Sequence, residues 1–314
     1  MKQITIIDGG YSSYEYEEKL FSSHGYELFI ARGKEEGGTH PFELARKAAG
    51  ILVRDTLVGS AELDQMPDLK AIVRYGVGYD NIDLKEAKKR GIRIANVQGY
   101  ANHSVSDHAL GLMFACTRNL QGPLAGTFGK PGREEIFELH DKTLGIIGLG
   151  RIGSQFALKA APLFKNIFAY DPYKSGSYMK QLKVKKVELS DLLKESHVLS
   201  LHCNLSSETR HMINESSLSE LGQLAVIINT SRGGVIREKA LLAALESGAL
   251  HSAGLDVYEN EPTGPAQSGL LKHPHVVSTS HVAWYSDYAM KCIHTRASEN
   301  MIALLAEREV DDEL

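Results

Sequence analysis

With 314 residues, 43% of them apolar and 24% charged, the chain is long enough for two domains of ordinary size and has the composition of a soluble globular protein. Its formal net charge of −4 at pH 7 argues against the clustered basic surface that nucleic acid requires. No apolar run is long enough to span a membrane, and three scattered cysteines, Cys116, Cys203 and Cys292, offer neither a disulfide framework nor metal-ligand spacing.

The segment Met1–Asp8 begins a strand at once, without a signal-peptide core, and the final Asp311-Asp312-Glu313-Leu314 is not read as a retention tail. The expectation is a cytoplasmic protein in a reducing compartment. Apolar runs then predict strands near Ile4–Ile7, Leu28–Ile30, Ile51–Arg54, Ala71–Arg74 and Ile92–Ala95, with helices around Tyr14–Ser23, Phe42–Ala49 and Leu84–Arg90. That alternation implies a parallel sheet with helices on its faces. Val105, Ala109, Leu112, Met113, Cys116 and Leu120 recur at helical spacing and predict a long amphipathic helix. Gln121 to Lys142 breaks the pattern with glycines and prolines.

A second series starts at Thr143. Strands are expected at Leu144–Ile147, Ile167–Tyr170, His197–His202, Ala225–Asn229, Ser252–Asp256 and Val276–Thr279. Helices fall at Ser154–Leu163, Ser190–Glu195, Ser216–Leu221 and Glu238–Ser247, and Asp287–Glu307 reads as one long final helix. No seventh strand is left for that helix to join, so it is expected to return to the N-terminal domain and make that domain discontinuous.

The first strand of this series runs into Gly148-Leu149-Gly150-Arg151-Ile152-Gly153, a Gly-x-Gly-x-x-Gly turn that opens a helix. Gly148 allows the tight turn, Gly150 lets the backbone approach a pyrophosphate, and Gly153 lets the helix pack closely. The helix N-terminus offers N–H groups to phosphate. The next strand ends on Asp171, suited to accept hydrogen bonds from ribose hydroxyls and to repel a 2′-phosphate, which favours NAD over NADP.

Later strand ends carry more polar chemistry. Ala225–Ile228 leads into Asn229-Thr230-Ser231-Arg232-Gly233-Gly234, placing a planar guanidinium where parallel sheets bind ligands and where it can clamp a carboxylate. The next gives Gly254-Leu255-Asp256-Val257-Tyr258-Glu259-Asn260-Glu261-Pro262, with Asp256 suited to the nicotinamide side of the cofactor and Glu261 in a rigid, extended pre-proline segment. The last ends Ser280-His281-Val282-Ala283-Trp284. A carboxylate paired with His281 would make a general acid/base unit, as reduction of a 2-keto acid requires. Trp284, the only tryptophan, is either core or a wall of the substrate pocket. His103, His108, His202, His211, His273 and His275 do not repeat with ligand spacing, so no metal is expected; His202 is read as shaping the cofactor crevice and Cys203 as a small apolar filler.

These motifs, with Arg74-Tyr75-Gly76-Val77-Gly78-Tyr79-Asp80-Asn81-Ile82-Asp83 and Val105-Ser106-Asp107-His108-Ala109, resemble the signature series of the D-isomer-specific 2-hydroxyacid dehydrogenases, in order and across nearly the whole chain. Residues 281–286 and 201–203 are similar to the branch containing the C-terminal-binding proteins, while Arg54 and Arg74 give a likeness to 3-phosphoglycerate dehydrogenases. The resemblance implies an α/β fold of two doubly wound parallel sheets, a flavodoxin-like substrate domain and a Rossmann NAD domain, with the active site in the cleft. The boundaries fall at 1–102 (substrate domain), 103–283 (NAD domain) and 284–314 (the returning helix).

The resemblance also implies roles. Arg232 would bind the substrate carboxylate and polarise its keto group, His281 would be the acid/base and Glu261 its partner. The N–H groups of Val77 and Gly78 would complete the carboxylate site. Val105, Arg151, Ile152, Asp171, Cys203, Thr209, Thr230, Ser231 and Asp256, with Gly148, Gly150 and Gly153, would line NAD. Arg54, Arg74 and Trp284 are candidates for substrate contact. The family usually has proline before its catalytic histidine; Ser280 here implies a less rigid loop. The implied activity is NAD-dependent interconversion of a small 2-keto acid and its D-2-hydroxy acid by a homodimer, with the helix from Val105 in the interface. The alternatives are 3-phosphoglycerate dehydrogenase, or an NAD-sensing corepressor-like scaffold with little activity.

Overall fold

Two units, Met1–Tyr100 with Ser286–Leu314 and Ala101–Tyr285, are built from these runs in a computed structural model that describes residues 1–32, 40–120, 136, 138–222, 224–261 and 269–314. Most of the irregular stretch expected from Gln121 lies outside the described residues, as does Pro262.

In the first unit, β1 (Lys2–Gly9), β2 (Tyr26–Arg32), β3 (Ala48–Val53), β4 (Ala71–Arg74) and β5 (Arg93–Ala95) form a parallel sheet in the order β2-β1-β3-β4-β5. That is the flavodoxin-like order. Every residue of β3 is buried, as expected of a strand covered on both faces. The helices among the described residues are α1 (Glu15–Ser23), α2 (Pro41–Leu44), α3 (Ser60–Leu63), α4 (Leu84–Lys89) and the C-terminal helix Asp287–Leu305. Local chemistry sets some of their ends. Asp83 caps α4 by accepting the Glu86 N–H at 3.0 Å, and Ser286 caps the C-terminal helix by accepting the Ala289 N–H at 3.1 Å.

The helix expected over Phe42–Ala49 is a single turn. Ala48 and Ala49 instead open β3, with Ala48 paired to Gln3. Alanine favours helix intrinsically, but pairing and burial in a central strand override that preference. The C-terminal helix packs against α1, β3 and β4. Gly50 of β3 makes room for it: a Cβ there would lie 2.4 Å from Met301 Sδ.

The second unit begins with α5 (Asn102–Thr117) and continues β6 (Thr143–Ile147), α6 (Arg151–Ala160), β7 (Asn166–Tyr170), α7 (Gly176–Gln181), β8 (Lys185–Lys186), α8 (Leu189–Glu195), β9 (Val198–Leu201), α9 (Glu215–Glu220), β10 (Ala225–Asn229), α10 (Glu238–Glu246), β11 (Leu250–Leu255) and β12 (Val276–Ser278). The sheet runs β12-β11-β10-β9-β6-β7-β8, all parallel. The order reverses between β6 and β9, the switch point at which such sheets bind nucleotides. Six strands are expected from the sequence and seven are present among the described residues. The extra one, β8, is an exposed Lys-Lys pair at the sheet edge, where charge blocks further pairing but leaves no apolar signature to read.

Met301 is fully buried. Met301→Ala should therefore cost about 2–5 kcal/mol of stability, the range for a large-to-small core change. Urea unfolding would register this as a lower midpoint; an unmoved midpoint would show that the helix contributes little to holding the sheet.

Candidate active site

At the end of β6 the chain turns through Gly148 with φ +88°, a conformation L side chains rarely adopt, and a Cβ there would lie 2.7 Å from the Cys203 nitrogen. A Cβ on Gly153 would lie 2.1 Å from the Gly148 carbonyl oxygen, so α6 starts tight against the turn. Beside Gly150 the situation is opposite: nothing lies within 4 Å of where its Cβ would stand. That open flank adjoins the N-terminus of α6, whose first turn holds no acidic residue. The N–H groups and the positive dipole end there suit phosphate. Arg151 and Ile152 are the first two residues of that helix.

Asp171 follows β7 directly. It is almost fully buried; Oδ2 accepts the Leu149 N–H at 2.8 Å and Oδ1 the Tyr173 N–H at 2.9 Å. Its charge thus fixes the glycine loop, and each oxygen retains capacity for a further donor. Val105 is buried. The Thr230 hydroxyl and His202 Nδ1 are buried without a hydrogen-bond partner, as polar atoms are when a ligand completes them. The open flank and these orphaned atoms fit a dinucleotide. Thr209 differs: its hydroxyl accepts the Ser206 N–H at 2.8 Å and donates to the Asn204 carbonyl at 2.7 Å, so it serves its own turn. Burial pushes the Cys203 thiol up to about 11, which suits a filler and not a nucleophile.

Arg232, Asp256 and His281 follow the neighbouring strands β10, β11 and β12 at the same end of the sheet. Arg232 is half-buried, and its Nη1 donates to the Ser231 carbonyl at 2.8 Å. Asn229, fully buried at the end of β10, donates to the Arg232 carbonyl at 3.0 Å and accepts from Ser231 N–H at 3.0 Å and Ser231 Oγ at 2.8 Å. Sequence reasoning passed over Asn229, although an amide at a strand end that bonds to the chain two residues on is a known turn device.

His281 Nδ1 lies 2.6 Å from Glu261 Oε2, and the other carboxylate oxygen accepts the Tyr258 N–H at 2.6 Å. The His281 side chain keeps 45% of its surface exposed, enough for a reactant to reach the opposite ring nitrogen. Glu261 sits in a turn and not in the extended segment expected, because its carboxylate folds back on Tyr258 N–H. Nor is the loop after Ser280 loosely held. His281 adopts φ +54°, and its N–H donates to the Asp256 carbonyl at 2.8 Å. The Asp256 carboxylate, 1% exposed, accepts Thr279 Oγ1 at 2.6 Å, Val282 N–H at 2.9 Å and Ala283 N–H at 2.9 Å. Trp284 Nε1 closes the loop by donating to the His281 carbonyl at 2.9 Å. Both Asp256 carboxylate oxygens thus bind the histidine loop. His108 joins this group through Thr279, at 2.9 Å.

In the first unit, Asp8 at the end of β1 accepts the N–H groups of Arg54 (2.8 Å), Asp55 (2.7 Å) and Thr56 (2.9 Å). Arg54 Nε lies 2.6 Å from Asp55, and Arg74 reaches the same carboxylate at 3.9 Å. Asn96 Nδ2 donates to the Val77 carbonyl at 2.6 Å, which pins the Val77–Gly78 segment. Among the described residues no three His, Cys, Asp or Glu side chains converge as metal ligands, and no helix is long and apolar enough to cross a membrane.

A glycine turn sharing a sheet end with a histidine–glutamate pair and a guanidinium suits a nicotinamide-nucleotide-dependent oxidoreductase. The chain belongs to the D-isomer specific 2-hydroxyacid dehydrogenases, whose NAD binding domain matches residues 110–283, and it is an NAD(P)-dependent enzyme that interconverts 2-keto acids and D-2-hydroxy acids. It is 38% identical over 246 residues to a glyoxylate reductase of Korarchaeum cryptofilum, covering 76% of this chain and 73% of that one. It is 42% identical over 237 residues to a hydroxypyruvate reductase of Thermotoga maritima, covering 74% and 76%. The fold is similar to a D-lactate dehydrogenase from Aquifex aeolicus, solved with NAD and lactic acid, at TM-score 0.85 and 27% identity over 97% of this chain and 96% of that one. Neither reductase is a C-terminal-binding protein or a 3-phosphoglycerate dehydrogenase, so those branch likenesses are not carried by these relatives.

His202 gives this unit a pH dependence. Burial pushes its ring, packed 4.8 Å from the Phe156 ring centroid, down to about 3 from an ordinary 6.5. The unfolded chain therefore binds the extra proton first, and stability falls as pH drops from 6.5 towards 3, being whole above that window. His202→Gln should flatten this acid slope. Urea midpoints at about pH 7 and about pH 5 check it; parallel slopes in wild type and variant would exclude the assignment.

Proposed function

We propose that this enzyme reduces glyoxylate or hydroxypyruvate with NADH, with His281 as acid/base, Glu261 as its orienting partner and Arg232 as the carboxylate clamp. The observation that carries the reading is the 2.6 Å His281–Glu261 pair, held at the same sheet end as Arg232 and the glycine turn. Glu261 orients the imidazole through Nδ1, so His281 can pass a proton from its opposite nitrogen to the keto oxygen while Arg232 draws electron density towards that oxygen. Gly148–Gly153 would hold the pyrophosphate of NADH, whose nicotinamide would supply the hydride. Trp284 is assigned a contact with the remainder of the substrate.

A small, uncharged substrate tail fits the first unit better than a phosphate does. Arg54 lies 2.6 Å and Arg74 3.9 Å from the Asp55 carboxylate, so both guanidinium groups already face an anion of the chain's own. NAD is favoured over NADP because the Asp171 carboxylate would repel a 2′-phosphate. Phe114 on α5, Leu120 after it and Leu158 on α6 are exposed apolar side chains, which supports a homodimer that covers them.

His281→Ala should lower turnover by about 10²–10⁴ with NADH affinity little changed, in a stopped-assay comparison of purified variants. Full turnover in that variant would remove the acid/base role. Asp171→Asn, which keeps an acceptor for Leu149, should narrow the gap between NADH and NADPH in kcat/KM. A substrate screen should rank glyoxylate and hydroxypyruvate about tenfold or more above phosphohydroxypyruvate; the reverse order would point back to Arg54 and Arg74 as phosphate ligands.

A further inference from the structure

We propose that His211 and Glu259 form a second histidine–glutamate pair, a positioning device that holds Arg232 and Glu261 in register with each other. The inference rests on the reading above, in which Arg232, Glu261 and His281 carry the reaction.

His211 Nε2 lies 2.5 Å from Glu259 Oε1. The second oxygen of Glu259 accepts the Glu238 N–H at 2.9 Å, and Glu238 Oε1 accepts the Glu259 N–H in return at 2.7 Å. Glu259 is thus tied at both backbone and side chain to the first residue of α10. Glu261 lies only two residues further along the same turn, and its carboxylate must keep a 2.6 Å contact with His281. Any swing of the 258–261 turn would move that carboxylate off the ring.

The same histidine also holds the arginine loop. The His211 N–H donates to the Gly234 carbonyl at 2.8 Å, and the neighbouring Ile213 N–H donates to Val235 at 3.1 Å. The Asn214 side chain donates to the His211 carbonyl at 2.9 Å. His211 adopts φ +52°, a strained conformation for a non-glycine residue that persists because these bonds over-determine it. Gly233, next to Arg232, stacks directly on the 258–259 peptide: a Cβ on it would lie 1.9 Å from the Tyr258 carbonyl carbon. The arginine loop and the glutamate turn therefore press on one another at Gly233, and the His211–Glu259 contact clamps them from the side. Neither His211 nor Glu259 touches the groups assigned to the substrate, so they act through Arg232 and Glu261.

The test compares Glu259→Gln, His211→Gln, His211→Ala and the double Glu259→Gln/His211→Gln with wild type and His281→Ala. The readouts are kcat and KM for glyoxylate, NADH affinity by fluorescence, and the urea midpoint. Loosened positioning should cut kcat about 10–100-fold, as sub-ångström to ångström misplacement does, with NADH affinity within about twofold of wild type. His211→Gln, whose amide can still donate to Glu259, should retain more of kcat than His211→Ala. The double variant should be no worse than the worse single one, since both remove one contact. Unchanged kcat in these variants, with His281→Ala inactive, would overturn the clamp and leave the catalytic reading standing. A fall in kcat that tracks NADH affinity and urea midpoint would reduce the pair to ordinary structure. An active His281→Ala would overturn the catalytic reading, and with it anything for the pair to position.

Discussion

The buried carboxylate of Asp256 anchors the histidine loop. Three donors, one hydroxyl and two consecutive backbone N–H groups, converge on it, and its own carbonyl takes the N–H of His281. Hydrogen bonds to a charged acceptor contribute about 1.5–3 kcal/mol each, and removing that acceptor would strand buried donors as well. These bonds hold His281 at a positive φ, a conformation uncommon for a non-glycine residue. The family's proline is replaced here by Ser280, and the stiffness that a proline ring would lend is supplied instead by a side chain 24 residues upstream in sequence and one strand away in the sheet.

The same logic recurs at the neighbouring strand ends. Asn229 organises the turn that presents Arg232, Asp171 binds the glycine turn through Leu149, and Asp8 in the first unit gathers the three N–H groups after β3. In each case an acidic or amide side chain at the carboxyl end of a parallel strand satisfies backbone donors that the sheet has stopped pairing. The groups assigned to chemistry are therefore carried by loops, but by loops whose backbone is bonded almost residue by residue to the sheet. Such loops place a guanidinium and an imidazole reproducibly without large secondary structure around them.

Much of this was legible in the residues. Ala71–Arg74 and Ala225–Asn229 read as strands and are strands with those limits, because continuous apolar runs bounded by polar residues leave little choice once buried on both faces. The glycine spacing of 148, 150 and 153 announced its steric roles, and the close approaches at the first and third and the open flank at the second match them. Other features left no local trace. A Lys-Lys edge strand has no apolar pattern, and Ala48-Ala49 looks helical until a partner strand claims it. His211 and Glu259, 48 residues apart, each look like ordinary surface polar residues until the chain brings them to 2.5 Å.

Sequence by itself determined the sheet-forming runs, the dinucleotide turn and the chemical types available at the strand ends, because periodicity and steric tolerance are local properties of the chain. Tertiary structure alone decided which carboxylate serves which partner. Asp256 and Glu261 are five residues apart, yet one is sealed beneath the histidine loop and the other meets the imidazole. Glu259, between them, turns to a different histidine altogether. A carboxylate's role depends on the donors within about 3 Å of it, and that distance is set by strand order and loop packing rather than by position in the chain.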